Sequence, residues 1–313
     1  TADVTVTFGC LKPALVVGPA ANLAGQVDLV DIGLPWLDSQ PAVWLPDATD
    51  VRRWWPQVES TSDKYSRGVA GLVTGSPGFP GAALMSAAGA VAGPAGMVRS
   101  VGPVADEVVR AHPSVVVSRR VAETGRVQAW LCGCGTGTDE RARDELRAVL
   151  GSPVPVVLDA DALTMLSDGG LNGWLRRRDA PTVVTPHDRE FARLAGHQVG
   201  SNRVDAAGQL AARLGVVVLL KGDRTIVATP DGTAWANPTG TPALATAGTG
   251  DVLAGLMVSL LAAGVPADRA ALAAAFVHGL AGRAVADAHG GDPATVVAPA
   301  VAEAIPSVIG ALR

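Results

Sequence analysis

The sequence predicts an α/β protein built on an open, mostly parallel sheet with helices on both faces. Three observations carry this expectation. From about residue 64 onward, short runs rich in Val, Leu and Thr alternate with longer segments of helical pattern, as repeated strand–helix–strand units require. Those runs are continuously apolar instead of alternating apolar with polar, which is the mark of strands covered on both faces. The composition is 48% hydrophobic with only 4% aromatic residues and 37 glycines, so helices of small side chains can lie close on a sheet.

In chain order, residues 4–8 and 27–31 have the character of two short strands. Residues 36–63 break the pattern. Pro41, Pro46 and Pro56 discourage regular structure there, and four of the seven tryptophans fall in it: Trp36, Trp44, Trp54 and Trp55. A tryptophan carries too much apolar area to stay in water, so the stretch is expected to be an ordered connector lying on a folded body. Strands are expected at 69–74, 114–117, 154–158, 182–185 and 216–220. A hairpin, 225–228 with 233–236, turns at Pro230-Asp231-Gly232. Residues 251–313 have the pattern of Ala-, Leu- and Val-rich helices. The expected organisation is an N-terminal piece (1–35), the connector (36–63) and one α/β domain (64–313).

Several function classes are disfavoured by composition. A net charge of −4 provides no electrostatic footprint for nucleic acid. The basic clusters Arg119-Arg120 and Arg176-Arg177-Arg178 do not interleave with aromatics and suit solvated helix ends or loops. The three cysteines, Cys10, Cys132 and Cys134, make neither a disulfide framework nor a zinc site, which suits a reducing cytosol. No apolar stretch reaches the roughly 20 residues of a membrane span, and no signal-peptide pattern opens the chain. It begins at Thr1 without a Met, as expected for a piece of something longer.

In open α/β sheets ligands bind beyond the carboxyl ends of the strands, so polar residues there are the candidates. The run from Asn237 to Asp251 ends in Gly248-Thr249-Gly250-Asp251 and is followed at once by an apolar helix. Small residues ahead of a helix start leave backbone N–H groups unscreened, and with the helix dipole they make an anion site. Asp251 could serve there as a base, or only as a helix cap. Gly75 to Ala83 forms a Gly/Pro-rich turn after the first strand of the body. Gly133-Cys134-Gly135-Thr136-Gly137 would let a ligand approach the backbone closely. Asp159 and Asp161 end a buried strand, where either could simply cap the next helix. Thr185-Pro186-His187-Asp188-Arg189-Glu190 and Lys221-Gly222-Asp223-Arg224-Thr225 end two more strands. Taken singly, His187 could be structural and Lys221 merely solvated.

In this order, and with the long run ending at Asp251, these segments resemble the ADP-dependent NAD(P)H-hydrate dehydratases of the ribokinase-like superfamily. The resemblance covers residues 64–313, about four-fifths of the chain. Thr241, Ala243 and Ala247 stand where that family usually has Asn, Gly and Gly, and Cys134 and Thr136 stand in place of Pro and Leu. The resemblance implies a ribokinase-like sheet and a catalytic base, Asp251. It implies an anion hole at Gly248, Thr249 and Gly250. Ala82, Gly135, Gly137, His187 and Asp251 would meet the substrate. Lys221, Gly222, Asp223, Arg224, Thr225 and Gly250 would cradle the AMP part of the nucleotide, and Glu190 would help organise Mg²⁺. Residues 1–35 resemble the last part of an NAD(P)H-hydrate epimerase domain, a remnant too short for activity of its own.

The function implied is a cytoplasmic hydro-lyase of nicotinamide nucleotide repair. ADP would drive dehydration of (6S)-NAD(P)H hydrate to NAD(P)H, with release of AMP and phosphate. Mg²⁺ is the implied cofactor and ADP the co-substrate. The implied partners are these small molecules and further copies of the chain, as in a homo-tetramer, with no nucleic acid and no membrane. The alternative within the same superfamily is a small-molecule kinase acting on a hydroxymethylpyrimidine, a thiazole or a sugar, which would keep the phosphate on its product. A non-catalytic nucleotide-binding module would not need Asp251, Glu190 and Lys221 together.

Overall fold

The computed structural model describes residues 1–34, 40–168 and 172–313. Pro35, the expected end of the N-terminal piece, and Trp36 lie outside the described residues. Eleven strands are present among those described: β1 (Val4–Phe8), β2 (Gln26–Val30), β3 (Val69–Val73), β4 (Met97–Val101), β5 (Val116–Ser118), β6 (Ala129–Cys132), β7 (Val156–Leu158), β8 (Thr182–Val184), β9 (Val217–Leu220), β10 (Ile226–Ala228) and β11 (Ala234–Ala236). The first two pair in parallel with each other as a separate small sheet. The other nine form one sheet in the order β11-β10-β9-β8-β7-β6-β3-β4-β5. Strands β3 to β9 are parallel, and the hairpin β10–β11 closes one edge antiparallel.

Helices α1 (Pro13–Val16), α2 (Ala48–Trp54), α3 (Pro80–Ala92), α4 (Ala105–Ala111), α5 (Glu140–Leu150), α6 (Asp161–Ser167), α7 (Asn172–Leu175), α8 (Asp188–Ala195), α9 (Arg203–Leu214), α10 (Thr249–Ala262), α11 (Ala267–Ala288) and α12 (Ala298–Leu312) complete the chain. Both faces of the large sheet are covered. Ala70 and Leu72 of β3, Val157 of β7 and Leu219 of β9 join a core with α3, α10, α11 and α12. Val73, Val156, Leu158, Val218 and Leu220 face the opposite core with α5, α6, α8 and α9. Burial on both sides is why these strands are continuously apolar.

Two strands, β4 and β6, lie where no strand was expected. In β4 the apolar run is broken by Arg99 and Ser100, although Ser100 is buried. In β6, Trp130 and Cys132 face one core while Ala129 and Leu131 face the other. The connector also holds a helix, α2, that its prolines had argued against. Pro46 and Pro56 flank the helix and leave its interior free. Asp47 caps it by accepting from the Asp50 N–H, and the Asp50 side chain accepts from the Asp47 N–H. Trp55 is buried against the main core, and Trp54 meets Trp235 edge-on with ring centroids 5.9 Å apart. Trp44 adds a bridge beside Trp235.

The sheet order places a topological switch between β3 and β6. From β3 the chain steps to β4 and β5 on one side, then returns to β6 on the other. Loops leaving the carboxyl ends of β3 and β6 therefore diverge and open a crevice. One face of that crevice is set by α10 lying on α3. A Cβ on Gly89 would sit 2.1 Å from the Val252 carbonyl oxygen, and one on Gly255 the same distance from that of Ser86. Only glycines allow this approach, and it holds the amino end of α10 over the carboxyl ends of the strands.

Candidate active site

The amino end of α10 is the strongest feature of the crevice. Gly248, the residue before the helix, has φ +89°, a conformation that favours glycine, and a Cβ there would press on Ala298 and Met85. The first intrahelical bond is donated by the Val252 N–H. Among the described residues the N–H groups of Gly248, Thr249, Gly250 and Asp251 have no hydrogen-bond acceptor. The Thr249 hydroxyl ties the turn to the Leu244 and Thr246 carbonyls at 2.7 and 2.9 Å. Four amides thus converge with the positive end of a 14-residue helix.

Asp251 is in the first turn, and no side chain caps the helix. Burial, and then the Asp159 carboxylate, push Asp251 up to about 6. That is a carboxylate at neutral pH with an unusually high appetite for a proton.

Asp159, at the end of β7, is buried and binds the Lys221 ammonium at the end of β9, with Oδ1 2.6 Å from Nζ. Glu190 Oε2 lies 3.7 Å from the same nitrogen. Burial would lower the lysine, but Asp159 and Glu190 outweigh it and hold Lys221 above its ordinary value. Lys221 Nζ also lies 3.9 Å from where a Gly250 Cβ would be, so the cation flanks the free amides. The Arg203 guanidinium fixes the backbone here by donating to the Lys221 carbonyl at 2.7 Å.

His187 caps α8. Its Nδ1 accepts from the Arg189 and Glu190 N–H groups at 3.1 and 3.2 Å, and Glu190 Oε2 accepts from the His187 N–H at 2.8 Å. An accepting Nδ1 places the proton of the neutral ring on Nε2, and the side chain is about half exposed. His187 is therefore structural at Nδ1, while its Nε2 lies 3.5 Å from Glu190 Oε1 on the half-exposed side of the ring.

On the far side, Gly135 has φ +63°, and a Cβ there would lie 2.6 Å from that of Ala82. The two loops at the switch thus pack on each other. Asp161 Oδ2 accepts from the Gly137 N–H at 2.8 Å and fixes the second loop. Cys134 is buried, with Sγ 3.9 Å from Asp159 Oδ2. Burial, Asp159 and Asp251 push its thiol well up, so it is a neutral group.

A cleft of about 920 Å³ runs from His187 and Lys221 past Gly250 to α11. Gly222, Asp223, Thr225 and Thr249 line it; Arg224 does not, and instead reaches the Pro238 carbonyl at 3.4 Å. Ala82, Gly135 and Gly137 belong to the neighbouring switch crevice. Sequence reasoning missed the Asp159–Lys221 pair, because the partners are 62 residues apart. It also missed His278 of α11, which lines the cleft but reads in sequence as one polar residue in an apolar helix. A smaller cleft of about 360 Å³ at the amino ends of β7 and β8 carries none of these groups. Beside it, Arg178, expected to be solvated, binds the carbonyls of Val149, Leu150, Ser152 and Val154.

Among the described residues no group of three or more His, Cys, Asp or Glu could hold a metal ion alone. Mg²⁺ prefers one or two carboxylates, often through water, plus substrate phosphates. The buried Glu190 and Asp159 beside the free amides fit an ion that arrives with a nucleotide.

Residues 70–307 match the protein family described as NAD(P)H-hydrate dehydratase. The chain is 46% identical over 270 residues to the bifunctional NAD(P)H-hydrate repair enzyme Nnr of Mycobacterium tuberculosis, an alignment covering 86% of this chain and 55% of that protein. The chain therefore spans about half the length of such relatives. It is 38% identical to the ADP-dependent (S)-NAD(P)H-hydrate dehydratase of Neisseria meningitidis, over 73% of this chain and 81% of that one. The crystal structure of the ADP/ATP-dependent NAD(P)H-hydrate dehydratase of Bacillus subtilis, grown with ATP and Mg²⁺, superposes with a TM-score of 0.77. It is 31% identical, over 87% of this chain and 99% of that one.

Proposed function

Because the chain belongs to the NAD(P)H-hydrate dehydratase family, we propose that it uses ADP to dehydrate (6S)-NAD(P)H hydrate, releasing NAD(P)H, AMP and phosphate. The observation that carries this reading is the meeting of a proton-accepting carboxylate, Asp251, with four unpaired amides and Lys221 at one helix start.

Asp251 takes the proton of the ring hydroxyl as its oxygen attacks the terminal phosphorus of ADP. The bond to the bridging oxygen breaks and AMP leaves. The N–H groups of Gly248, Thr249 and Gly250 hold the negative charge on the transferring phosphoryl group. The phosphate ester then eliminates: its C–O bond breaks, a proton is lost from the adjacent ring carbon, and the C=C bond returns. Lys221 and the following Gly222, Asp223, Arg224 and Thr225 secure the AMP part, with Arg224 acting on the loop through Pro238. Ala82, Gly135, Gly137 and the Nε2 side of His187 seat the hydrated nicotinamide. Glu190 would help hold a Mg²⁺ ion, which would supply positive charge to the phosphate oxygens. Residues 1–35 are assigned no activity.

The test is incubation of hydrated NADH with ADP and Mg²⁺, followed by absorbance of the reduced nicotinamide and by phosphate release. Recovery of NADH with stoichiometric AMP and phosphate is expected. A stable phosphorylated product would establish a kinase instead.

A further inference from the structure

We propose that Cys134 is a positioning residue for Asp251: its buried thiol holds the carboxylate off the amide turn, so that the base and the amides both stay free. The role of Asp251 as base rests on the dehydratase reading; the effect on the amides does not.

Asp251 is the third residue of α10, after Thr249 and Gly250. An acid at this position can fold back and accept from the N–H of the residue that precedes the helix. Elsewhere in this chain it does so. Asp50 accepts from the Asp47 N–H at the start of α2, and Glu190 from the His187 N–H at the start of α8. Asp205, at the start of α9, turns back onto the side-chain amide of Asn202. Asp251 behaves differently: it leaves the Gly248 N–H without an acceptor, and no side chain caps α10.

Cys134 supplies the alternative contact. It is fully buried, its thiol is within hydrogen-bonding reach of Asp251, and its Sγ lies 3.9 Å from Asp159 Oδ2. The loop that carries it is pinned, since the Cys134 carbonyl accepts from the Gly75 N–H at 2.8 Å. Asp159 Oδ1 already takes the Lys221 ammonium and the Ala160 N–H, so Asp251 has the greater need of the thiol hydrogen. Ser86 of α3 lies beside the sulfur and, fully buried, has no other hydrogen-bond partner. Its hydroxyl therefore points at the sulfur and leaves the thiol hydrogen to the carboxylates. Burial keeps the thiol protonated, so it donates and adds no third negative charge. A thiol is a weak donor, but away from water its bond is strengthened. Of the charged groups acting on Asp251, Lys221 attracts it while Asp159 and Asp161 repel it. The thiol is the neutral contact that fixes its direction.

The test uses the full chain with Cys134→Ala and Cys134→Ser, and the Ala change again in an Asp251→Ala background. Turnover and KM for hydrated NADH are measured beside calorimetric titration with inorganic pyrophosphate and thermal melting. In Cys134→Ala the freed carboxylate folds onto the Gly248 N–H and repels an incoming anion. Turnover and pyrophosphate affinity should each fall about tenfold, with KM for the hydrate unchanged. The melting temperature should stay within a few degrees, because the cap bond gained offsets the sulfur lost. Cys134→Ser keeps a donor of similar size and should restore most of both losses. In the Asp251→Ala background no carboxylate remains to fold back, and adding Cys134→Ala should leave pyrophosphate affinity unchanged. Normal turnover and pyrophosphate affinity in Cys134→Ala would overturn the proposal. So would the same affinity loss in the Asp251→Ala background, a failure of Ser to rescue, or a wild-type chain that binds no pyrophosphate. A wild-type chain that binds pyrophosphate without dehydrating the hydrate would refute the dehydratase reading alone, and the binding comparison would still decide the role of Cys134.

Discussion

Replacing Asp251 by Asn separates catalysis from stability, because the two should move in opposite directions. Asp251 rises from 3.8 to about 6 in the folded protein, first through burial and then through the Asp159 carboxylate. A group raised in the folded state adds stability when protonated, fully below the unfolded value and progressively lost as pH climbs from about 4 through about 6. Above that window the ionised side chain is disfavoured by about 3 kcal/mol, taking 1.36 kcal/mol per tenfold change. Asn keeps the shape and carries no charge. At pH 8 the variant should therefore melt higher than wild type, by up to about 5 °C for a chain of this size, and the gain should vanish near pH 4. Turnover should fall at least about 10²-fold, the scale of a lost general base. Calorimetric melts at pH 4 and 8, with NADH recovery at pH 8, measure both. Near-normal turnover would make Asp251 a structural residue. A lower melting point at pH 8 would refute the electrostatic reasoning, whatever the activity.

Two further outcomes follow from the same geometry. Lys221→Ala should raise the nucleotide KM more than it lowers kcat, since the cation beside Gly250 holds phosphate equally in ground and transition states; steady-state kinetics over ADP concentration decide, and a change confined to kcat would contradict the role. Trp55→Ala should cost about 3–5 kcal/mol and lower the melting temperature, because Trp55 is buried in the main core; an unchanged melt would show that the connector does not support the body.

Much of the fold was legible because its strands are covered on both faces. An apolar run such as Val217–Leu220 can hardly be anything but an interior strand. β4 was not legible for the converse reason. Arg99 and Ser100 sit in it, near the end of the sheet order, and a sequence window cannot tell an interrupted edge-side strand from a loop. Helix α2 was missed because proline was weighed by its presence and not by its phase, and both nearby prolines fall outside the helix. The turn of free amides before α10 could be anticipated because its ingredients are local: small residues, then a helix. The charge network could not, since Asp159 and Lys221 follow strands β7 and β9, Glu190 lies in the first turn of α8, and the three meet only when the sheet forms.

Asp159 and Asp161 show most sharply what pattern alone leaves out. Either carboxylate could have been a helix cap, yet α6 has no side-chain cap at its start. The residue between them, Ala160, has φ +49° and ψ −113°, the single positive-φ residue other than glycine among those described. Such a conformation costs on the order of 1–3 kcal/mol in a residue with a Cβ and persists only where its surroundings enforce it. Its effect is to turn the backbone sharply between the two carboxylates. Asp159 then points to Lys221, while Asp161 points to the Gly137 amide and the switch-point loop. The strain therefore sits between the two loops that Asp159 and Asp161 anchor, and the field it imposes through Asp159 is part of what raises Asp251.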